Sequence, residues 1–149
     1  MIVDKNLDHG RAEYAYACIE EIEHIKEIKG IKDKGVEIEK RYHSAVRSSG
    51  ALIQKSGLMQ TLSFYISKTK DEEDGCENKG YTHYELLAKH ILTWILDNNG
   101  NEEPLKLYRS LLDYTDEEII QKTQESKALI LWLKRFADAM LISGDNNVA

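Results

Sequence analysis

Histidine and carboxylate side chains are the first residues here that could do chemistry. The chain has five histidines and twenty-six acidic residues. In Glu21-x-x-His24 a carboxylate and an imidazole share one helix face, the spacing that di-iron helical bundles use. Such a bundle needs two of these pairs plus a glutamate from each of two further helices. His9, His43, His83 and His90 have no glutamate three positions before them. Isoleucines 22 and 25 hold the apolar stripe, which turns Glu21 and His24 toward solvent. His83, His90 and Asp97 recur at intervals of seven, but seven helical residues rise roughly 10 Å, too far for all three to reach one ion. They are expected to form a polar face beside an apolar stripe, with no metal and no cofactor.

Nucleophilic chemistry finds less support. Cys18 lies in a helical run among alanines and an isoleucine, where a cysteine acts as a small apolar residue. Cys76 sits among carboxylates, which raise a thiol pKa. Two cysteines make no disulfide framework and no zinc pair. No GxSxG, Walker-type or GxGxxG pattern occurs, so no catalytic residue is assigned.

Charge is unevenly spread. The chain carries 20 Lys+Arg against 26 Asp+Glu, a formal net charge of −6, which argues against gripping nucleic acid by bulk charge. Between Lys26 and Lys55, however, eight basic residues face four acids, a local +4. A second basic concentration is Lys134-Arg135, preceded by Lys127. A basic face of this kind can neutralise a few phosphates, although it also matches an ordinary solvated surface. Tyr42 and His43 beside Arg41 would allow stacking, but their helical spacing equally fits a core.

The elements that must position these residues are helical. Only 1 proline and 9 glycines occur among 149 residues, and both types are penalised in helix interiors. A first helix, with Asp8 as N-cap, buries Ala12, Tyr16, Ile19, Ile22 and Ile25 and ends near Lys29-Gly30. Residues 30–35 read as a loop. A second helix from about Val36 to Ser48 breaks at Ser48-Ser49-Gly50, and a third carries Leu58, Leu62, Tyr65 and Ile66. Residues 68–80 are expected to form an acidic loop. The fourth helix has the cleanest stripe, Tyr84 to Ile95, and stops at Asp97-Asn98-Asn99-Gly100. Pro104 fits the first turn of a fifth helix, which buries Leu107, Tyr108, Leu111 and Leu112. Thr115-x-x-Glu118 is a capping box opening a last helix of about seven turns, with Leu129, Trp132, Leu133, Phe136, Ala137 and Met140 inward. The tail from 143 to 149 is expected to fray. The fold expected is all-α, a compact bundle of about six helices forming a single domain over residues 1–149. The longest unbroken apolar run, Ala128–Leu133, is six residues against the roughly 20 that cross a bilayer. With no charged-then-apolar leader at the start, a cytoplasmic location and no membrane contact are expected.

Two stretches together resemble a known family. One runs from Tyr42-His43-Ser44-Ala45-Val46 through Leu52-Ile53-Gln54-Lys55-Ser56-Gly57-Leu58-Met59-Gln60-Thr61-Leu62-Ser63-Phe64. The other runs from Tyr114 to Trp132-Leu133-Lys134-Arg135-Phe136-Ala137. Their joint order is similar to that of the small α-helical subunit of type III-B CRISPR (Cmr) RNA-targeting complexes. There are departures: Gly50-Ala51 stands where the family commonly has a proline, and Ser56 where asparagine is usual. Serine caps a helix about as well as asparagine, so the second change is mild.

The resemblance implies a non-catalytic structural subunit, several copies of which stack beside the backbone subunits that hold the guide RNA. RNA cleavage then belongs to the backbone subunits and nucleotide signalling to the large subunit. Implied partners are the backbone and large subunits, further copies of this chain, and the guide and target RNA, in antiviral defence. From charge, Arg41, Arg47, Lys55, Lys134 and Arg135 are the candidate phosphate contacts, without sequence readout. Two alternatives stand beside this: a free-standing helical adaptor unrelated to RNA, and a helical enzyme or metal-binding bundle built around Glu21, His24 and the other histidines.

Overall fold

Apolar residues repeating at three and four positions bury one stripe per helix, and among the described residues six such helices close around one apolar cluster. The computed structural model describes residues 3–27, 32–71, 82–98 and 102–142, and among these no strand occurs. The helices are α1 (Val3–His24), α2 (Lys32–Ser56), α3 (Leu58–Asp71), α4 (His83–Ile95), α5 (Pro104–Leu111) and α6 (Asp116–Met140), with a 3₁₀ turn at Ile25–Glu27. α1 and α2 both pack on α6, α2 also packs on α4 and the 3₁₀ turn, and α3 and α5 pack on α4. Ile19, Ile22, Tyr42, Ile53, Leu62, Leu87, Ile91 and Leu129 are among the largest fully buried side chains.

Several boundaries follow their local signals. The Thr115 hydroxyl accepts from the Glu118 N–H at 3.1 Å, and the Thr115 N–H donates to the Glu118 carboxylate at 2.9 Å, which is the expected capping box. Pro104 occupies the first turn of α5. Asp97 takes φ 55 just past α4, a left-handed conformation that ends the helix. Gly57, at φ +89, turns the chain from α2 into α3. Thr82 caps α4 by accepting from the Glu85 N–H at 3.1 Å, a Thr-x-x-Glu signal the hydropathy stripe alone does not reveal.

Other expectations are corrected. α2 runs unbroken through Ser48-Ser49-Gly50. The Ser48 and Ser49 hydroxyls bond back to the Ala45 and Val46 carbonyls at 3.2 and 2.9 Å, and the buried row Val46, Ser49, Ile53 continues across the site. Burial of that row outweighs a glycine penalty of about 1 kcal/mol. α1 begins at Val3, so Asp8 is no cap; it accepts from the Trp132 indole at 3.0 Å. Tyr16 is 46% exposed, edge-on to Phe136, and Leu112 is 63% exposed beyond the end of α5. Residues 32–35 and 68–71 are helical rather than loop. The rest of the expected loops, Cys76 and the tail 143–149 lie outside the described residues.

Gly35 and Gly50 differ in what surrounds them. A Cβ on Gly35 would stand 2.5 Å from the Lys26 Cα, whereas one on Gly50 would meet nothing within 4 Å. Gly50→Ala should therefore stabilise by about 0.5–1 kcal/mol, and Gly35→Ala should destabilise by about 1–3 kcal/mol. Thermal melts should show opposite shifts of a few degrees; equal shifts would refute the close approach of α2 to the 3₁₀ turn.

Candidate nucleic-acid interface

The frame of the interface is a set of polar ties inside the core. The Glu39 carboxylate is fully buried on α2. It accepts from the Lys26 ammonium at 3.0 Å and from the Ile142 backbone N–H at 2.7 Å. One turn on, His43 is also buried, with Nε2 2.8 Å from an Asp138 oxygen and Nδ1 3.3 Å from the Ile142 carbonyl. Both contacts draw the C-terminal end of α6 onto the N-terminal half of α2. Further along, the Lys127 ammonium donates to the Gln54 amide oxygen at 2.8 Å. Positions 43 and 47 meet 138 while 54 meets 127, so the two helices run antiparallel in fixed register.

That register places the cations. Arg47 lies 3.7 Å from Asp138, and both side chains are partly exposed. Lys127 and Lys134 are seven residues apart and share the α6 face turned to α2, as Arg47 and Gln54 share the α2 face turned to α6. Arg47, Lys127 and Lys134 therefore line one seam. Lys55 and Arg135 are exposed and follow Gln54 and Lys134 by one residue, which turns them to the outward faces of the same helices. Arg41 lies elsewhere: it pairs with Glu37 at 2.9 Å and lines a cavity between α2, α3 and α4. The five candidates thus occupy both edges and the outer face of α2 and the adjoining surface of α6. Lys127 belongs with them, and its seven-residue spacing from Lys134 is the signal that finds it.

The histidines are placed otherwise than hydropathy suggests. His83 and His90 are buried instead of forming a polar face on α4. His90 is tolerated inside because its Nε2 reaches the Glu21 carboxylate at 3.0 Å and its Nδ1 the Tyr42 phenol at 2.7 Å. Glu21 is thereby turned to α4, while exposed His24 pairs with Glu27 at 3.2 Å, so these two do not combine. Tyr14 donates to the His90 carbonyl at 2.6 Å and stacks on Trp94, whose indole donates to Glu125 at 2.7 Å. Arg11 grips the same Glu125 with two bonds of 2.7 Å, tying α1, α4 and α6 together. Tyr42 and His43 are core residues, unavailable for stacking. Among the described residues no three His, Cys, Asp or Glu side chains converge on a common metal position.

Burial opposes a charged His90, but the Cys18 sulfur and the Glu21 carboxylate outweigh it and hold the imidazole up at about 9. Glu21 is lowered, first by its hydrogen bond from His90. An unfolded imidazole gives up its proton near 6.5, whereas His90 keeps it to about 9. Its contribution to stability is therefore complete below pH 6.5 and lost as the pH rises to 9. Urea unfolding from pH 6.5 to 9 should show this decline. Glu21→Gln should flatten it, and an unchanged slope in that variant would rule the pair out as its source.

Comparison with known proteins agrees with this architecture. Residues 7–140 match the family model described as CRISPR-associated protein (Cas_Cmr5). The fold is similar to the crystal structure of a CRISPR-associated Cmr5 family protein from Thermus thermophilus. The TM-score is 0.57 at 19% identity, over 87% of this chain and 92% of that one. With nearly its whole helical region matched by the family model, the chain belongs to the Cmr5 family of CRISPR-associated proteins.

Proposed function

We propose that this chain is a non-catalytic structural subunit of a type III-B CRISPR effector complex, acting in the cytoplasm in antiviral defence, that contacts guide and target RNA without reading sequence. The family match over residues 7–140 carries the assembly role, since a Cmr5-family chain is a subunit of a Cmr complex. In that role copies of the chain stack along the backbone subunits, near the large subunit. Arg47 and Lys134, with Lys127 between α2 and α6, support the RNA contact, and Lys55, Arg135 and Arg41 extend the basic surface on either side. Side chains of this kind give phosphate contacts that position a duplex, while base pairing carries the specificity. A chain of net charge −6 has little affinity of its own. Tethering in the assembly supplies the effective concentration that makes weak contacts count.

The test uses the reconstituted complex with Arg41→Ala and Arg47→Ala in this subunit, and separately Lys134→Ala. Removing a cation that neutralises one phosphate should lower target-RNA retention and flatten the slope of log affinity against log salt by roughly one. The fold should be intact, because all three side chains lie at the surface. Retention that stays unchanged at raised salt would remove these residues from the RNA contact.

A further inference from the structure

On the edge of α2 away from the α6 seam, a cavity of about 470 Å³ opens between α2, α3 and the start of α4. This is within the size range of small-molecule sites. Its lining is chemically mixed in a particular way. Phe64 is 41% exposed and presents its ring there, set edge-on to Tyr84 at 5.6 Å. Tyr84 is in turn stacked on Tyr65 at 5.3 Å, so the aromatic wall is braced from behind. Two cations border the space: Arg41 from α2 and Lys68 from α3, whose ammonium lies 5.6 Å from the Phe64 ring centre. The Ser44 and Ser48 hydroxyls add small polar groups on α2.

A flat exposed ring, two cations beside it and hydroxyls at its rim describe the complement of one particular ligand chemistry. An apolar ligand has no use for Arg41 and Lys68. A bare inorganic anion leaves the aromatic wall and most of the volume unused. A nucleotide uses all three features, since every base has a face to stack, each phosphate seeks a cation and the ribose hydroxyls match the serine hydroxyls. We propose that this cavity binds one unpaired nucleotide, its base against Phe64 and its phosphate between Arg41 and Lys68. Lys68 then exchanges its contact with the ring for the phosphate, and the ring exchanges a cation for a base. Glu37, which already holds Arg41 at 2.9 Å, keeps the guanidinium beside the cavity mouth at the cost of part of its charge. His83 at the inner end is pushed down to about 4, by burial first and Arg41 next, so at neutral pH it offers one donor and one acceptor to a base edge. The chemistry is the same for a free nucleotide and for a residue of single-stranded RNA. It excludes paired residues, whose faces are already stacked.

The full chain on its own is titrated by calorimetry with 5′-AMP, inorganic phosphate, a five-residue oligo(A) and a blunt RNA duplex. Saturable AMP binding is expected, with phosphate alone at least tenfold weaker and the duplex weaker than the single strand. Oligo(A) tighter than AMP identifies an RNA residue as the natural occupant; equal affinity identifies a free nucleotide. Phe64→Ala should cost about tenfold in AMP affinity, as loss of one stacked base does, and Phe64→Tyr should restore it. Arg41→Gln should weaken binding and flatten its salt dependence. Ser48→Trp, at an exposed position on the rim, should block the cavity without touching the core, and serves if Phe64→Ala fails to fold. AMP that does not saturate, phosphate that binds as well as AMP, or affinity indifferent to both Phe64→Ala and Ser48→Trp would overturn the proposal. None of these measurements involves the Cmr complex, so their failure would leave the assembly role standing.

Discussion

A carboxylate taken wholly out of water costs several kcal/mol unless it is paired and hydrogen-bonded, and Glu39 is such a carboxylate. Its two partners come from opposite ends of the chain: Lys26 from the turn after α1, and the Ile142 N–H from beyond α6. Neither can leave without stranding a buried charge. The consequence is geometric. α2 is pinned to the end of α6 at one point, and antiparallel packing from that point sets which residues meet along the rest of the seam. Arg47 beside Asp138 and Gln54 beside Lys127 follow from it.

Apolar burial drives the helices together but is non-directional, so it leaves sliding and rotation weakly specified. Three polar clusters remove that freedom, each between a different set of helices. Glu39 and His43 join α2 to α6. Glu21, His90 and Tyr42 join α1, α4 and α2. Arg11, Glu125 and Trp94 join α1, α6 and α4. All are charge-assisted, which makes them shorter and stronger than neutral hydrogen bonds. The surface cations are therefore carried on a frame fixed in register.

Local signals in the sequence were sufficient for most of the helices, because capping boxes, N1 proline and stripes of 3.6 residues act within one or two turns. Thr115-x-x-Glu118 and Pro104 mark their helix starts without any knowledge of the rest of the chain. Two of the errors share one cause. Ser48-Ser49-Gly50 reads as a break, and His83 and His90 read as a polar face, because the contacts that decide them lie far away in sequence. Glu21 is 69 residues from His90. Hydropathy assigns a charged residue to solvent, and only the partner reverses that. The cations were equally visible as a local excess of charge, but their edges were not. Six residues separate Arg41 from Arg47, about 120° around a helix, which sends one to the α3–α4 cavity and the other to the α6 seam.

An acidic chain with a basic face raises the question of whether the acids cancel the face. The distances along α6 answer it. Asp116, Glu117 and Glu118 occupy its first turn, where they favour the positive end of the helix dipole. Lys134 lies eighteen residues further on, roughly 27 Å along the axis. The Debye length at physiological salt is about 8 Å, so that cluster stands about three screening lengths from Lys134 and is largely screened from it. Near acids matter most to a phosphate, and among the described residues they include Asp138 beside Arg47 at the seam and Glu37 beside Arg41 on the opposite edge of α2. Asp138 is shared with His43, which leaves Arg47 a long, exposed contact of 3.7 Å rather than a tight pair. Net charge therefore sets how weakly the free chain attracts a polyanion from a distance, while the potential close to the α2–α6 surface is set by the cations and the few acids that stand beside them.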